Sequence, residues 1–546
     1  MINLKEELQS LLKGEIVDDE ATLVRYSRDA SIFEVKPRLI VFPKDVEDIK
    51  KLVLFVNEKR AQGLSLTCRA GGSDMTGGPL SESIVLDMTR YLNRIKEIGE
   101  DFATVEPGVF YRDFEKETIK RNLLLPCFPA SKELCTLGGM VANNAGGEKT
   151  LAYGKTDHYV QELKVVLADG NEYVFKKLSR EELAAKLSFS SFEGEFYRRV
   201  FAMVQENEEL LKAAKPKVSK NSAGYALWNV WDKEKGMFDM TQLFVGSQGT
   251  LGIITEIRFK LVAQATHSSL LVVFLKDQSL LAEVTEAILR EKPESFELYD
   301  DHTLKLAARF FLDFVKTLKG NVFSLGLRFL PEFLMLLKGG VPKLILLAEF
   351  SGETHDGVLK KAKNAKENIK MFKVETWIAK NEGEIEKYHA IRRESFNLLR
   401  GHVRGMTAVP FIDDIIVRSE DLEVFLPKLT AILSEYPQLI YTIAGHVGDG
   451  NLHIIPLMDL KRPDASKVIM ELSQRVYDLV FSFKGSMTAE HNDGIIRTPF
   501  LEQMYGSKVV ELFLQAKRIF DPANIFNPGK KVSGTKEYLL SHIAKE

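Results

Sequence analysis

Three glycine-rich blocks, each at the end of a predicted β-strand, constrain this chain more than any other feature. The first, RAGGSDMTGG (69–78), follows the strand-like SLTC; the second is CTLGGMVANNAGG (135–147). The third, GSQGTLG (246–252), runs into the β-branched stretch IITEIRFKLV. Glycine has no Cβ and tolerates positive φ, so its backbone N–H groups can come close to the oxygens of a ligand. Any one of these loops is equally well read as a tight turn. Three in one chain serve little structural purpose unless something long and polar lies against them. None reads GxxxxGK[ST], which argues against a Walker-type nucleotide site. None is a GxGxxG opening a helix, which argues against a Rossmann dinucleotide fold.

The surrounding pattern is α+β. RLIVF reads as a strand stopped by Pro43, and Asp45 can cap a helix carrying Val46, Ile49, Leu52, Val53 and Val56 at helical spacing. SIVLDM is a further strand, and VQELKVVLADGNEYVF is a hairpin with an Asp-Gly turn. MINLKEELQSLLKGE reads as an amphipathic helix with acids inside it, unlike a signal peptide. At 546 residues the chain exceeds one hydrophobic core, and a change of texture after Val262 predicts a domain boundary near residue 263. Charged helical segments then alternate with apolar runs to Glu349, and EFSGETHD begins a new section. Segment 307–343 reads as helices packed beneath a cap domain, with a membrane-surface face as the alternative. Prolines and a glycine make the tail IFDPANIFNPGKKV loop-like.

Charge and cysteine usage remove whole classes of function. Lys and Arg number 74 against 76 Asp and Glu, so no general attraction to nucleic acid is built in. Three cysteines without a CxxC argue against a disulfide scaffold, a zinc ribbon or an iron–sulfur cluster, and suit a reducing cytoplasm. No run approaches the roughly 18 apolar residues that span a bilayer. We expect a cytoplasmic protein, at most peripheral at the inner face of the membrane.

Two His-acid motifs lie in the second half. In AGHVGDGNLHIIP (444–456), His446 and His453 would face opposite sides of an unbroken strand. Gly448-Asp449-Gly450 can fold the chain back so that the two imidazoles converge. With a carboxylate they would make a divalent-metal site with open positions. TAEHNDG offers Glu490 as that carboxylate and His491 beside it for proton chemistry. Taken alone, the first motif is also readable as a turn that happens to contain histidines.

In order, RAGGSDMTGG, PASKELCTLGGMVANNAGGEKTLAYGKT and GSQGTLGIIT resemble the FAD-binding domain of the vanillyl-alcohol-oxidase (PCMH-type) flavoproteins. GHVGDGNLH, GSMTAEHNDG and FDPANIFNPGKK are similar to the C-terminal half of the FAD-linked D-lactate, glycolate and D-2-hydroxyglutarate dehydrogenases. The resemblance covers most of the chain. It implies an N-terminal helical segment (1–35) and a two-subdomain PCMH-type FAD-binding domain (36–263). An α/β cap domain with an antiparallel sheet (264–485) would follow, and then a C-terminal segment (486–546) returning to the FAD domain to complete the active site.

By matching position, Arg69, Gly71, Gly72, Ser73, Asp74 and Gly77 would hold the FAD pyrophosphate. Gly138, Gly139, Asn143, Asn144, Gly146 and Gly147 would line the flavin and diphosphate. Gly246, Gly249 and Gly252 would approach the adenine-ribose side, with Asn527 from the tail motif also at the cofactor. Ser73 stands where some relatives carry a covalently attached histidine, so FAD is expected to be non-covalent.

The resemblance also implies that His446, His453 and Glu490 bind a divalent metal (zinc, manganese or iron) and that His491 is the catalytic base. Arg392, in YHAIRRESFNLLR, would grip the substrate carboxylate. The implied reaction oxidises a small anionic D-2-hydroxy acid, passing a hydride to flavin N5. The chain departs from the family at four places. Ile455 replaces an asparagine, Ile412-Asp413-Asp414 replaces Lys-Tyr-Asp, and Asn492 and Gln248 replace a glycine and a glutamate. The first two favour a lactate-like acid over 2-hydroxyglutarate, with Arg497 as a possible extra cation. With no cysteine cluster, electrons are expected to leave to a quinone, oxygen, an electron-transfer protein or a separate iron–sulfur subunit. Two other readings compete: a non-catalytic flavin-binding subunit of a larger complex, and a flavin-independent metallohydrolase.

Overall fold

The computed structural model describes residues 4–303, 305, 341–379, 381–389 and 405–545. Segment 307–343 therefore lies almost wholly outside the described residues, as does Arg392.

The first sheet has four strands in the order Glu15–Val17, Leu39–Phe42, Ile84–Asp87, Leu66–Arg69. The last three run parallel. As the spacing predicts, Asp45 caps the helix Val46–Glu58 by accepting from Asp48 N, and Ile49, Leu52, Val53 and Val56 are fully buried against the sheet. Each such side chain stabilises the layer by about 1.5–3 kcal/mol, and Leu52→Ala would cost about 2–5 kcal/mol. Reading the N-terminus as purely helical misses the edge strand Glu15–Val17. Its turn is fixed by a buried carboxylate: Asp48 accepts from Lys13 N and Gly14 N.

The second sheet is antiparallel with seven strands, among them the predicted Asp-Gly hairpin Val160–Val166/Glu172–Leu178 and the strand Ile253–Lys260. The helices Phe192–Glu206 and Ser507–Phe520 pack on it. The first glycine-rich block follows the strand Leu66–Arg69 and the third leads into Ile253–Lys260, but the second does not end a strand: it forms the helix Leu137–Asn143, capped by Thr136.

A third, seven-stranded antiparallel sheet runs Glu375–Ile378, His267–Leu275, Leu344–Gly352, Ser295–Asp300, Ile443–His446, Asn451–Ile454, Ile415–Ile416. The section break expected at Glu349 falls inside one of its central strands. LILLAEFSG is a nine-residue strand, and Thr354 caps the following helix His355–Asn368. Helices including Leu281–Leu289, Leu422–Ser434 and Ala465–Ser482 cover one face of this sheet. Residues 486–545 then cross back. Ile495 N donates to Thr76 O, Leu66 N to Ile525 O and Asn527 N to Leu66 O, so the tail becomes part of the first domain. A loop-like tail is possible here because its backbone groups find partners outside it.

Candidate active site

A cavity of ≈ 630 Å³ runs from the first glycine block to the histidines, within the range of roughly 300–1,000 Å³ usual for ligand sites. Most of the predicted cofactor residues line it: Arg69, Gly71, Gly72, Ser73, Asp74, Gly138, Gly139, Asn143, Gly146, Gly147, Gly249 and Gly252. Gly77, Asn144, Gly246 and Asn527 do not. Why glycines stand here is readable in the space around them. A Cβ on Gly71 would lie 2.1 Å from Leu134 O and one on Gly147 2.2 Å from Phe128 O, so these two glycines let backbones touch. A Cβ on Gly139 or Gly249 would meet no protein atom nearer than 3.4 or 3.9 Å. Those two face the cavity itself, a cradle suited to a long ligand needing close backbone approach. Arg69 lines the cavity, but its guanidinium donates to the carbonyls of Tyr26 and Arg28.

The loops are tied together by amides. Asp74 accepts from Thr76 N, from Asn143 Nδ2 at 2.9 Å and from Gln248 Nε2 at 3.4 Å. Gln248 also accepts from Gly494 N at 2.9 Å. A glutamate at 248 would have no proton for Asp74 and would set two carboxylates face to face, which accounts for the departure from the family residue. Asn527 Nδ2 donates to Gly78 O and Gln248 O, bracing two blocks from behind rather than facing the cavity. Asn492 has φ 73°, the left-handed region that otherwise favours glycine, and its amide donates to Asn143 O and Gly246 O.

At the other end, strands Ile443–His446 and Asn451–Ile454 form the hairpin expected of Gly448-Asp449-Gly450. Ala444 pairs with His453 and His446 with Asn451, bringing the two rings onto one face at 5.2 Å between centroids. His446 Nδ1 is 2.7 Å from Glu297 Oε1, and its Nε2 is 3.6 Å from Glu490 Oε2. The three predicted ligands are thus brought together, each able to offer one atom within 4.8 Å of the others. Burial disfavours the His446 imidazolium, but Glu297 and Glu490 outweigh that and push its pKa up to about 9. Lys220 donates to Glu490 Oε1 at 2.5 Å and lies 3.2 Å from Asp449 Oδ2. Burial raises the Glu490 carboxyl; Lys220 and His446 more than reverse that and hold it well below the usual range.

His491 stacks on His453 at 5.2 Å and 24°. Between them lies Asp413, fully buried, with Oδ1 3.2 Å from His453 Nδ1 and Oδ2 3.1 Å from His491 Nδ1. The second contact is an ion-pair approach rather than an aligned hydrogen bond. Asp414 accepts from the backbone N–H of Glu490 and His491 and from Thr488 Oγ1, fixing the loop that carries both site residues. Burial opposes a charged His491, yet Asp414 and Asp413 hold its pKa at about 9. Arg497 is not the extra substrate cation the sequence suggests. It is buried and donates to the carbonyls of Met487, Asn492 and Asp413. Ile455 lines the cavity beside the histidines.

In this group five buried carboxylates (Glu297, Asp413, Asp414, Asp449, Glu490) face three buried basic side chains (Lys155, Lys220, Arg497), and burial draws the Lys155 pKa down to about 8. The surplus of two negative charges suits a divalent cation or protonated imidazoles, and the N/O donor set suits zinc, manganese or iron. Glu297 and Lys220 are site residues that sequence reading missed; Asp413 and Asp414 enter there only as a departure bearing on substrate, not as partners of the histidines. Three of the acids sit in apolar stretches (PFIDDIIV, SFELYD), which is a signal for a buried, partnered carboxylate. Nothing marks Lys220 in KVSKNSAG.

Residues 37–175 match the model of a FAD binding domain, and residues 264–531 match the C-terminal domain of FAD-linked oxidases. Together the matches take in about three quarters of the chain. This protein belongs to the FAD-linked oxidases. It is 26% identical over 535 residues to a D-2-hydroxyglutarate dehydrogenase of Pseudomonas putida, covering 97% of this chain and 52% of the relative. The chain spans about half the length of the curated relatives it matches first. It is 26% identical to the glycolate oxidase subunit GlcD of Bacillus subtilis, covering 97% of this chain and 96% of that one. The fold is that of 4-ethylphenol oxidase from Gulosibacter chungangensis, with a TM-score of 0.68 at 16% identity, covering 98% of this chain and 97% of that one.

Proposed function

We propose that this protein is a FAD-dependent, metal-assisted dehydrogenase of small D-2-hydroxy acids. The observation that carries the reading is that the His446–His453–Glu490 cluster and His491 open into the same cavity that the glycine blocks line. FAD held non-covalently there would supply the two-electron acceptor, and a divalent ion on the triad would supply Lewis acidity.

The chain's own residues have distinct parts. His446, fixed through Nδ1 by Glu297, turns Nε2 toward Glu490, and these two with His453 form the ligand set. His491 takes the proton of the substrate hydroxyl. Its flanking carboxylates favour the imidazolium, so it serves as a base once a cation at the triad offsets them. Ile455 and Ala444 line this end beside the acids, a lining that suits a lactate-like acid better than a dicarboxylate. Arg392 remains the proposed carboxylate grip, and a quinone, oxygen, an electron-transfer protein or an iron–sulfur subunit the acceptor. No helix among the described residues is long and apolar enough to cross a membrane, which is compatible with a cytoplasmic site of action.

The test is anaerobic mixing of the FAD- and metal-loaded protein with D-lactate, glycolate and D-2-hydroxyglutarate. D-lactate should bleach the flavin fastest. His491→Ala should keep its flavin and metal but lose bleaching by at least about a hundredfold. Bleaching by none of these acids, or an unimpaired His491→Ala, would sink the proposal.

A further inference from the structure

From the placement of one carboxylate between two imidazoles, we infer that Asp413 is a positioning residue that sets the tautomers of His453 and His491 together. It thereby couples metal binding to the proton-accepting group. This inference rests on the roles proposed above for those two histidines.

The geometry assigns one oxygen to each ring. Oδ1 faces His453 Nδ1 at 3.2 Å, and Oδ2 lies 3.1 Å from His491 Nδ1. A carboxylate only accepts, so His453 Nδ1, which makes the hydrogen bond, carries its proton; His491 Nδ1 approaches Oδ2 without aligned geometry, and we assign it a proton because a bare lone pair would face a carboxylate oxygen at 3.1 Å. In the neutral rings each Nε2 is then a bare lone pair. That of His453 is free to be a metal ligand and that of His491 to take a proton.

Asp413 is held to this task from its own backbone and side chain. It is fully buried, its carbonyl accepts from Arg497 Nη2 at 2.6 Å, and its Oδ1 also accepts from Ile454 N at 3.1 Å. Oδ1 already accepts two N–H groups, but Oδ2 makes no hydrogen bond and Asp413, His453 and His491 can each offer one atom within 4.8 Å of the others, so the Zn²⁺ stoichiometry below separates a positioning role from a ligand role. The neighbouring Asp414 cannot substitute, since its oxygens are occupied by the backbone N–H groups of Glu490 and His491, by Thr488 Oγ1 and by Asn451 Nδ2.

The variant that isolates this role is Asp413→Asn, which keeps the shape but has one acceptor and one donor. Only one ring can then keep its Nδ1–H supported; the other must turn its proton to Nε2. Two readouts are taken on the FAD-loaded protein: the affinity and stoichiometry for Zn²⁺, and the rate of flavin bleaching by D-lactate at saturating Zn²⁺. Flavin content should be unchanged. Either Zn²⁺ affinity falls by about 10–100-fold, or bleaching at saturating Zn²⁺ falls by up to roughly 10⁴-fold, as when a catalytic imidazole is left in the wrong tautomer.

Wild-type behaviour in both readouts overturns the inference. So does a wild-type protein that binds two Zn²⁺ and drops to one in the variant, because Asp413 would then be a ligand. Should the variant fail to retain flavin, ¹⁵N-histidine spectra of the wild-type protein decide. The Nδ1 atoms of His453 and His491, assigned with His→Gln variants, should stay protonated wherever the protein is folded, and a bare Nδ1 on either ring refutes the assignment. If no hydroxy acid bleaches the wild-type flavin, the proposed function fails while the Zn²⁺ and ¹⁵N measurements still judge Asp413.

Discussion

Lys220→Met removes the lysine cation in direct contact with Glu490 without changing the ligand set. Lys220 Nζ lies 2.5 Å from Glu490 Oε1, 3.2 Å from Asp449 Oδ2 and 3.0 Å from Thr150 Oγ1, and all four residues are buried. Methionine fills the aliphatic volume, so the loss is electrostatic: two buried carboxylates lose their shared partner. Breaking a buried pair in this way costs about 3–5 kcal/mol. A divalent ion at His446, His453 and Glu490 would neutralise one of those carboxylates and return part of the loss. A return of about 2 kcal/mol corresponds to Zn²⁺ binding roughly thirtyfold more tightly to the variant, since about 1.4 kcal/mol is tenfold. The assay is urea unfolding followed by the fluorescence of the three tryptophans, Trp228, Trp231 and Trp377, with a chelator and again at saturating Zn²⁺. The variant should be several kcal/mol less stable in the chelator and clearly closer to wild type in Zn²⁺. An equal deficit under both conditions would mean that Lys220 does not compete with a metal for Glu490, and the charge argument for the site would fall.

Three further outcomes follow from local geometry. Asp29 is half-buried as a residue, but its Oδ2 is shut off from solvent without a partner; burial and then Asp74 push its pKa up to about 7. A raised carboxyl adds stability below about pH 4 that is lost as pH rises through 7. Asp29→Asn should therefore be more stable than wild type at pH 8, by up to about 2–4 kcal/mol, and should flatten the unfolding midpoint between pH 4 and 7; an unchanged slope refutes it. Gln248→Glu places a second carboxylate beside Asp74 and should weaken FAD binding by about tenfold or more, less so at acid pH, as read by flavin titration. Gly71→Ala drives a Cβ to 2.1 Å from Leu134 O, so the purified variant should carry little flavin; full flavin content would contradict the backbone-contact reading.

How much was legible differs between the two halves of the site. Glycine blocks are visible in a sequence because glycine is the only residue that suits both a positive φ and a 2.1 Å approach, and most of those predicted to face the cofactor do line the cavity. The hairpin at His446 and His453 was legible for the same reason: three glycines in six residues (Gly445, Gly448, Gly450) have few other uses. What failed was charge. Arg497 reads as a free cation from its neighbours GII and TPF, but its burial against three carbonyls is a tertiary fact. Asp413 reads as part of a departure that favours a lactate-like acid, and only folding places two imidazoles beside its two oxygens. The break expected at Glu349 failed because an acid in an apolar run looks like a boundary until its partner, His389 at 3.0 Å, is known.

The turns at the site make the same point in reverse. Asn144, Gln248, Asp414, Asn492 and Asn527 all have positive φ, a conformation that costs a non-glycine residue of order 1 kcal/mol or more. Glycine would remove that cost, yet each of these side chains makes a contact glycine cannot. Asn144 accepts from Asp157 N, Gln248 bridges Asp74 to Gly494, and Asp414 fixes the backbone of Glu490 and His491. Asn492 and Asn527 each span two glycine-rich blocks. Strained backbone thus recurs where the glycine-rich loops, the hairpin and the returning C-terminal segment meet, and hydrogen bonds across those segments offset it. A search for glycine alone finds the walls of the cavity and misses the residues that lock the walls to one another. Those residues include Asp414, which ties the loop carrying His491 to the segment carrying Asp413, just ahead of the strand Ile415–Ile416, and so sets the spacing between them.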